Sequence, residues 1–226
     1  MKNLSLSSNL FILFLFFSKS INAQVPVFEE PRHKVVLLNE YIRLIDVHIP
    51  PHDTTLYHRH STPSVIVFLS KNITGSQIMG GETATGEAIP GNTLFADFGN
   101  KPVSHRVWNQ DTVVYHVMDI EILPRNNSLA CAAINEPSTK LAWEKKNIRV
   151  YNIYIGAGKT SIIKGVNCPH LLIMISGLAS TTSADMLQQS FDQLKPGDFK
   201  WYTQGSGFEI KNNGPVDADC VLLELK

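Results

Sequence analysis

Residues 43–70 read RLIDVHIPPHDTTLYHRHSTPSVIVFLS, and residues 149–176 read RVYNIYIGAGKTSIIKGVNCPHLLIMIS. The two stretches align without a gap at a constant offset of 106, and the alignment runs on to Pro90-Gly91 and Pro196-Gly197. Arg43 meets Arg149, Ile49 meets Ile155, Thr54 meets Thr160, Pro63 meets Pro169 and Ser70 meets Ser176. The apolar run Val65 to Leu69 falls on Leu171 to Ile175. After a three-residue deletion, Asn109 falls on Asn212 and Glu121 on Glu224. Self-similarity at a fixed offset marks a duplicated unit, since each copy has the same faces to bury. The chain therefore divides into two similar domains, 24–123 and 147–226, joined by a linker at 124–146 in which Ser138 to Lys145 is expected to form a short helix.

Each copy reads as all-β. Short runs with alternating or continuous apolar character are broken by turn residues such as Pro50-Pro51, Pro63, Gly80-Gly81 and Pro90-Gly91. In the first copy the expected strands are Val35–Leu38, Tyr41–Ile49, Thr55–His60, Ser64–Leu69, Thr93–Phe98 and Val113–Leu123. Met186–Leu194 has helical spacing, but its counterpart Met79–Glu87 is rich in glycine and threonine, so the repeat decides for strand. In the last strand His116, Met118, Ile120 and Ile122 share a face whose counterparts are Asp219, Val221, Leu223 and Leu225, and this face is expected to line the barrel interior. His116 then either approaches the site described next or ends its strand on a backbone hydrogen bond. His48 is on the opposite parity from Ile45, Val47 and Ile49 and faces away from their core.

His58-Arg59-His60 lies on an expected strand, where side chains alternate, so both imidazoles point the same way. His105 on a neighbouring strand supplies a third. A His-x-His pair is a common accident in a chain with eight histidines. The repeat raises its value, because His58, His60 and His105 fall on Lys164, Val166 and Phe208, and all three are lost together while the strand pattern stays. Arg59 between them is expected to point outward, toward the contact between domains. His33, His52 and His170 read as loop or surface residues.

With these residues in place, the chain resembles the cupin superfamily, and specifically a two-domain cupin whose metal motif survives only in the N-terminal domain. His58 and His60 meet the His-x-His of the first cupin motif, with His52 where its glycine would stand and Ser64 or Val65 in place of its acid. His105-Arg-Val-Trp-Asn109 fits the His-x-x-x-Asn of the second, with Asn100 and Pro102 replacing its proline and glycine. The resemblance covers roughly residues 34 to 226, and it implies two tandem jelly-roll barrels with one divalent metal ion in the first. Some cupins with three histidines bind ferrous iron and activate oxygen, which favours Fe(II), while imidazole alone also suits Zn, Mn, Ni or Cu.

Three neutral imidazoles leave the ion its full double charge, and three protein ligands leave open positions, as catalytic sites do. Two functions stay open: a non-haem metal-dependent dioxygenase acting on a small organic substrate, or a non-catalytic cupin that captures a small anion or sugar. No general acid or base is assignable near the ligands, since no Glu follows His60.

Lys2, the apolar run Leu10 to Phe17 and Ala23 before Gln24 read as a signal peptide over residues 1–23, so a secreted or periplasmic protein is expected. That run is too short to span a bilayer, and no stable membrane insertion is expected after cleavage. Without the leader the chain has 18 basic and 20 acidic residues, which excludes a basic nucleic-acid surface. The expected partner is a small molecule, and a homodimer is compatible with the sequence. The 43% hydrophobic content suffices for two cores. Cys131, Cys168 and Cys220 allow one disulfide at most, with Cys131–Cys168 as one candidate pair and three buried thiols as the alternative. Asn72-Ile-Thr74 and Asn126-Asn-Ser128 are formal glycosylation sequons. Gly156-Ala-Gly158-Lys-Thr160 lacks the spacing of a phosphate loop, and the repeat puts it on a turn.

Overall fold

The turn-punctuated apolar runs fold as strands in a computed structural model that describes residues 24–126, 128–164, 167–183 and 192–226. The first half supplies β1 (Val25–Pro26), β2 (His33–Leu38), β3 (Ile42–Ile49), β4 (His58–His60) and β5 (Ser64–Phe68). It continues with β6 (Asn72–Ile78), β7 (Thr83–Ala88), β8 (Thr93–Ala96), β9 (Val103–Asn109) and β10 (Tyr115–Ile122). The second half supplies β11 (Thr139–Lys145), β12 (Ile148–Ile155), β13 (Thr160–Ile163), β14 (His170–Ser176) and β15 (Ala179–Ser183). It ends with β16 (Asp192–Leu194), β17 (Phe199–Tyr202), β18 (Phe208–Asn212) and β19 (Ala218–Leu225). The leader and most of the expected strand Met186–Leu194 lie outside the described residues. No helix of the described residues is long and apolar enough to cross a membrane.

Each half closes two sheets into a jelly-roll barrel: β1-β4-β9-β6-β7 with β2-β3-β10-β5-β8, and β11-β12-β19-β14-β17 with β13-β18-β15-β16. The duplication holds to the level of register. Ile49 pairs with Tyr115 and Ile42 with Ile122, as Ile155 pairs with Ala218 and Ile148 with Leu225. A β-bulge interrupts β2 between Val35 and Leu37, and another interrupts β11 at the equivalent Leu141 and Trp143. Ser138–Lys145 is thus not the expected helix. Leu141 and Trp143 are two residues apart, which is strand spacing, and Trp143 Nε1 donates to Thr93 Oγ1 at 2.8 Å across the seam between barrels.

The residues identical in the two copies hold the same bonds. Arg43 pairs with buried Glu121 at 2.6 Å, and Arg149 with buried Glu224 at 2.8 Å. Asn109 Nδ2 donates to the carbonyls of Ile49 and Val113, and Asn212 Nδ2 to those of Ile155 and Val216. Gly91 N donates to Phe68 O and Gly197 N to Met174 O, both 2.9 Å, from turns with positive φ. Buried polar groups survive in a core only when paired, so these positions tolerate no drift. Asn72 belongs to the same network, donating to Val113 O and Asn109 Oδ1 from a buried position, which closes that sequon to modification. Cys131 and Cys168 form a disulfide, and Cys220 is a buried free thiol.

The barrels pack back to back. Ile42, Leu44, Met118 and Ile120 of the first meet Ile148, Val150, Val221 and Leu223 of the second in one continuous core. Each such side chain contributes about 1.5–3 kcal/mol by leaving water. This corrects the face expected to line the barrel interior. Met118, Ile120 and Ile122 face the seam, while Tyr115, Val117 and Asp119 face inward. Both faces of β10 are buried, so apolar character does not distinguish inside from outside.

His52 sits in a turn at φ 60, and the repeat-equivalent residue is Gly158 at φ 71. A side chain in this left-handed region costs on the order of 1 kcal/mol. His52→Gly is therefore expected to raise stability by about 0.5–1 kcal/mol, read as a higher urea midpoint at unchanged slope.

Candidate metal centre

Strand β4 is only His58-Arg59-His60, and its neighbours fix it. Val25 and Pro26 pair in parallel with His58 and Arg59, and His105 of β9 lies directly opposite His58. Alternation sends His58 and His60 inward, 1% and 4% exposed, and Arg59 outward. The sheet that carries β4 is remote from the seam, so Arg59 meets solvent and not the other domain as expected.

The three imidazoles converge. His60 Nε2 and His105 Nε2 are 3.1 Å apart, and one ring nitrogen from each of the three lies within 4.8 Å of the others. Two nitrogens at about 2.1 Å from a shared ion stand about 3.0–3.4 Å apart, so the His60 and His105 pair already has the spacing. His58 Nδ1 is 2.9 Å from Leu56 O, which makes it the donor there and turns the lone pair of Nε2 into the cluster. Burial, with the other imidazoles nearby, lowers His58 to about 3 and His60 to about 2. Burial, with His33 beside it, lowers His105 to about 4. All three are neutral at physiological pH, the state a metal requires.

Two groups that sequence reasoning missed complete the surroundings. Asp119 on β10 is buried, with Oδ2 3.4 Å from His60 Nδ1, close enough to face that nitrogen although the two are not in hydrogen-bonding geometry. Burial, with the like charge of Glu121 behind it, pushes Asp119 up to about 7. A carboxylate behind an imidazole orients metal-binding histidines. Its counterpart in the second copy is Leu222, so the comparison that marked the histidines marks this residue too. His33, expected at the surface, instead begins β2 with its side chain turned inward and 6% exposed, its ring centroid 4.8 Å from that of His58 and Nδ1 2.6 Å from Glu30 Oε2. Burial works to raise Glu30, but bonds from His33, Arg32 and Leu56 outweigh it and hold the carboxylate down to about 2. The nearby acids and bases that the sequence did not show therefore come from other segments of the chain. His170 is also fully buried, 3.7 Å from Glu224, and not at the surface, whereas His52 is a loop residue as expected.

The histidines open on a cavity of about 290 Å³ walled mainly by Val47, Ile49, Phe68, Val107 and Val117, with Thr55, Ser76 and Glu87 among its polar members and, among the described residues, no arginine or lysine. Its small residues Ala88 and Ala96 correspond to Leu194 and Tyr202 in the second barrel, and His105 corresponds to Phe208. There Tyr202 stacks on Phe208 at 3.7 Å between ring centroids, and Leu194 packs into the same core. One barrel is hollow where the other is filled.

No protein-family model matches the sequence, and no curated protein matches it. Solved structures do. Protein Ylba from E. coli superposes with a TM-score of 0.60 at 10% identity, over 87% of this chain and 85% of that one. A variant of the salicylate 1,2-dioxygenase from Pseudoaminobacter salicylatoxidans gives 0.58 at 9% identity, over 82% and 71%. Oxalate decarboxylase from Bacillus subtilis, a protein with Mn(II) centres, gives 0.55 at 11% identity, over 82% and 69%. These neighbours are cupin-fold proteins, and the jelly-roll barrels of this chain share their fold.

In the unfolded chain each imidazole takes a proton near pH 6.5, whereas in the fold His105, His58 and His60 resist protonation to about 4, 3 and 2. Below pH 6.5 the unfolded state binds more protons, so acid favours unfolding by up to about 1.4 kcal/mol per pH unit for each histidine. The urea midpoint of metal-free protein is expected to fall between pH 7 and pH 5, and to fall less steeply in His105→Phe.

Proposed function

We propose that the first barrel is a metalloenzyme site in which His58, His60 and His105 hold one divalent cation and a small, largely apolar organic molecule enters the adjoining cavity. The observation that carries this reading is three neutral imidazoles, His58 and His60 buried and His105 partly so, converging beside a hollow that the second barrel fills with Leu194, Tyr202 and Phe208. Iron(II) is the favoured ion and a dioxygenase the favoured class, supported by the fold shared with a salicylate dioxygenase and a manganese-containing decarboxylase. Such an ion, held by three uncharged ligands with positions left open, supplies Lewis acidity and, as iron, redox chemistry.

The chain's own residues do the rest. Val47, Ile49, Phe68 and Val117 exclude water and orient the apolar body of the substrate. Asp119 steadies His60 through Nδ1, and Leu56 O steadies His58. His33, braced by Glu30, lines the cavity beside His58 and is placed to move a proton to or from a bound molecule. The absence of arginine and lysine from the described lining argues against a multiply charged anion, which would demand cationic partners.

Metal analysis of protein purified without chelators is expected to find about one ion in this site per chain, lost in His58→Ala/His60→Ala. Ala88→Leu/Ala96→Tyr imports the filling of the second barrel. It is expected to keep the metal and the fold while abolishing uptake of small aromatic probes and any turnover. Tight probe binding by wild-type protein without turnover, under any reconstituted metal, would favour non-catalytic capture.

We also infer export through the leader at residues 1–23, supported by the Cys131–Cys168 bond, which suits an oxidising compartment. N-terminal sequencing of the mature protein is expected to begin at Gln24, and retention of residues 1–23 on an intracellular product would contradict it.

A further inference from the structure

We propose that Asp46, His48 and His116 form a second divalent-cation site, of the zinc class, at one end of the seam between the barrels. The strand faces that build the seam core, Ile42 and Leu44 on β3 and Met118 and Ile120 on β10, continue outward into these three polar residues. His48 and His116 are cross-strand partners, their rings stacked at 4.0 Å between centroids. His116 Nε2 lies 2.7 Å from Asp46 Oδ1, and His48 Nδ1 lies 3.6 Å from the same oxygen. One donor atom from each residue lies within 4.8 Å of the others. A cation displaces the proton shared by His116 and Asp46, which requires these atoms to part by only a few tenths of an ångström. The His48 side chain, half exposed, turns to meet it. Two imidazoles and a carboxylate with positions left open suit zinc, nickel, cobalt or copper in preference to magnesium or calcium.

The duplication points to a ligand here. The seam has a second, equivalent end, where Asp46, His48 and His116 are replaced by Asn152, Tyr154 and Asp219. At each end the Pro-Gly turn of one barrel leans on the other barrel. Gly91 faces Ile175 at one end, and Gly197 lies so close to His116 that a Cβ there would come within 2.9 Å of the ring. Behind the first end, Asp198 and Lys200 line a recess with Asp46, and at the other end Asn92 stands in the place of Asp198. Both imidazoles and the facing carboxylate are thus lost together in the other copy, although the surrounding packing is retained. Lys34, opposite Asp46 in register, is exposed and opposes the cation. All three donors stand on β3 and β10, so a cation bound at this end ties those two strands together where the other barrel's turn packs against them.

The test is zinc titration of the full chain, counted by metal analysis and by competition with a chromophoric chelator. His48→Ala alters a half-exposed side chain and is expected to remove one zinc equivalent, or to weaken it by about tenfold or more. Asp46→Asn/His48→Tyr/His116→Asp, the residues that the equivalent seam end already tolerates, is expected to remove it fully. If the cavity site also holds zinc, the count falls from two to one. If that reading fails, the count falls from one to none, so the two failures are separable. Unchanged stoichiometry and affinity in His48→Ala would overturn the proposal whatever the cavity does.

Discussion

The seam between the barrels is the constraint on which the rest depends. Sheet β2-β3-β10-β5-β8 lies against sheet β11-β12-β19-β14-β17, and the side chains between them form a core that belongs to neither barrel alone. With so much apolar area buried at the seam, a barrel interior need not be filled for the chain to fold. The second interior is packed with Tyr202, Phe208 and Leu194. The first is left hollow at Ala88 and Ala96, and into that hollow the fold turns three imidazoles. Stability and chemistry are thereby divided between two copies of one architecture.

Much of this was legible because duplication compares a sequence with itself. Arg43 and Arg149, Asn109 and Asn212, and Glu121 and Glu224 agree because each makes the same buried bond in its own barrel. His58, His60 and His105 stood out because the second copy lacks them. The comparison misled where both faces of a strand are buried. Period-two reading of β10 saw Met118, Ile120 and Ile122 as the interior, but their face packs on the other barrel, and Asp119 escaped notice among the inward residues. Ser138–Lys145 misled as an expected helix because a bulge at Leu141 and Trp143 disguises the alternation of an edge strand. His33 carries no local signal, since its place beside His58 is set by the path of β2 and by Glu30, neither of which its neighbours reveal.

The electrostatics of the cavity follow from the same geometry. Burial keeps the three imidazoles uncharged, so their lone pairs meet no competing proton at physiological pH. The carboxyl groups and their partners stand one layer back. Glu30 braces His33, Asp119 backs His60, and the pair Arg43–Glu121 lies farther along β10. Carboxyl groups behind imidazoles, Asp119 itself pushed up to about 7 by burial, orient the rings toward a cation, with a largely apolar wall in front for a substrate. The seam trio Asp46, His48 and His116 is the surface counterpart, more exposed and braced by the turn of the other barrel.

The most direct test of the central claim is a crystal of the protein grown with a divalent transition metal, with anomalous scattering collected at that metal's absorption edge. A peak about 2.0–2.3 Å from one nitrogen each of His58, His60 and His105 is the expected result. A cavity without such a peak at full occupancy elsewhere, or an ion held there by fewer than three of these histidines, would contradict it.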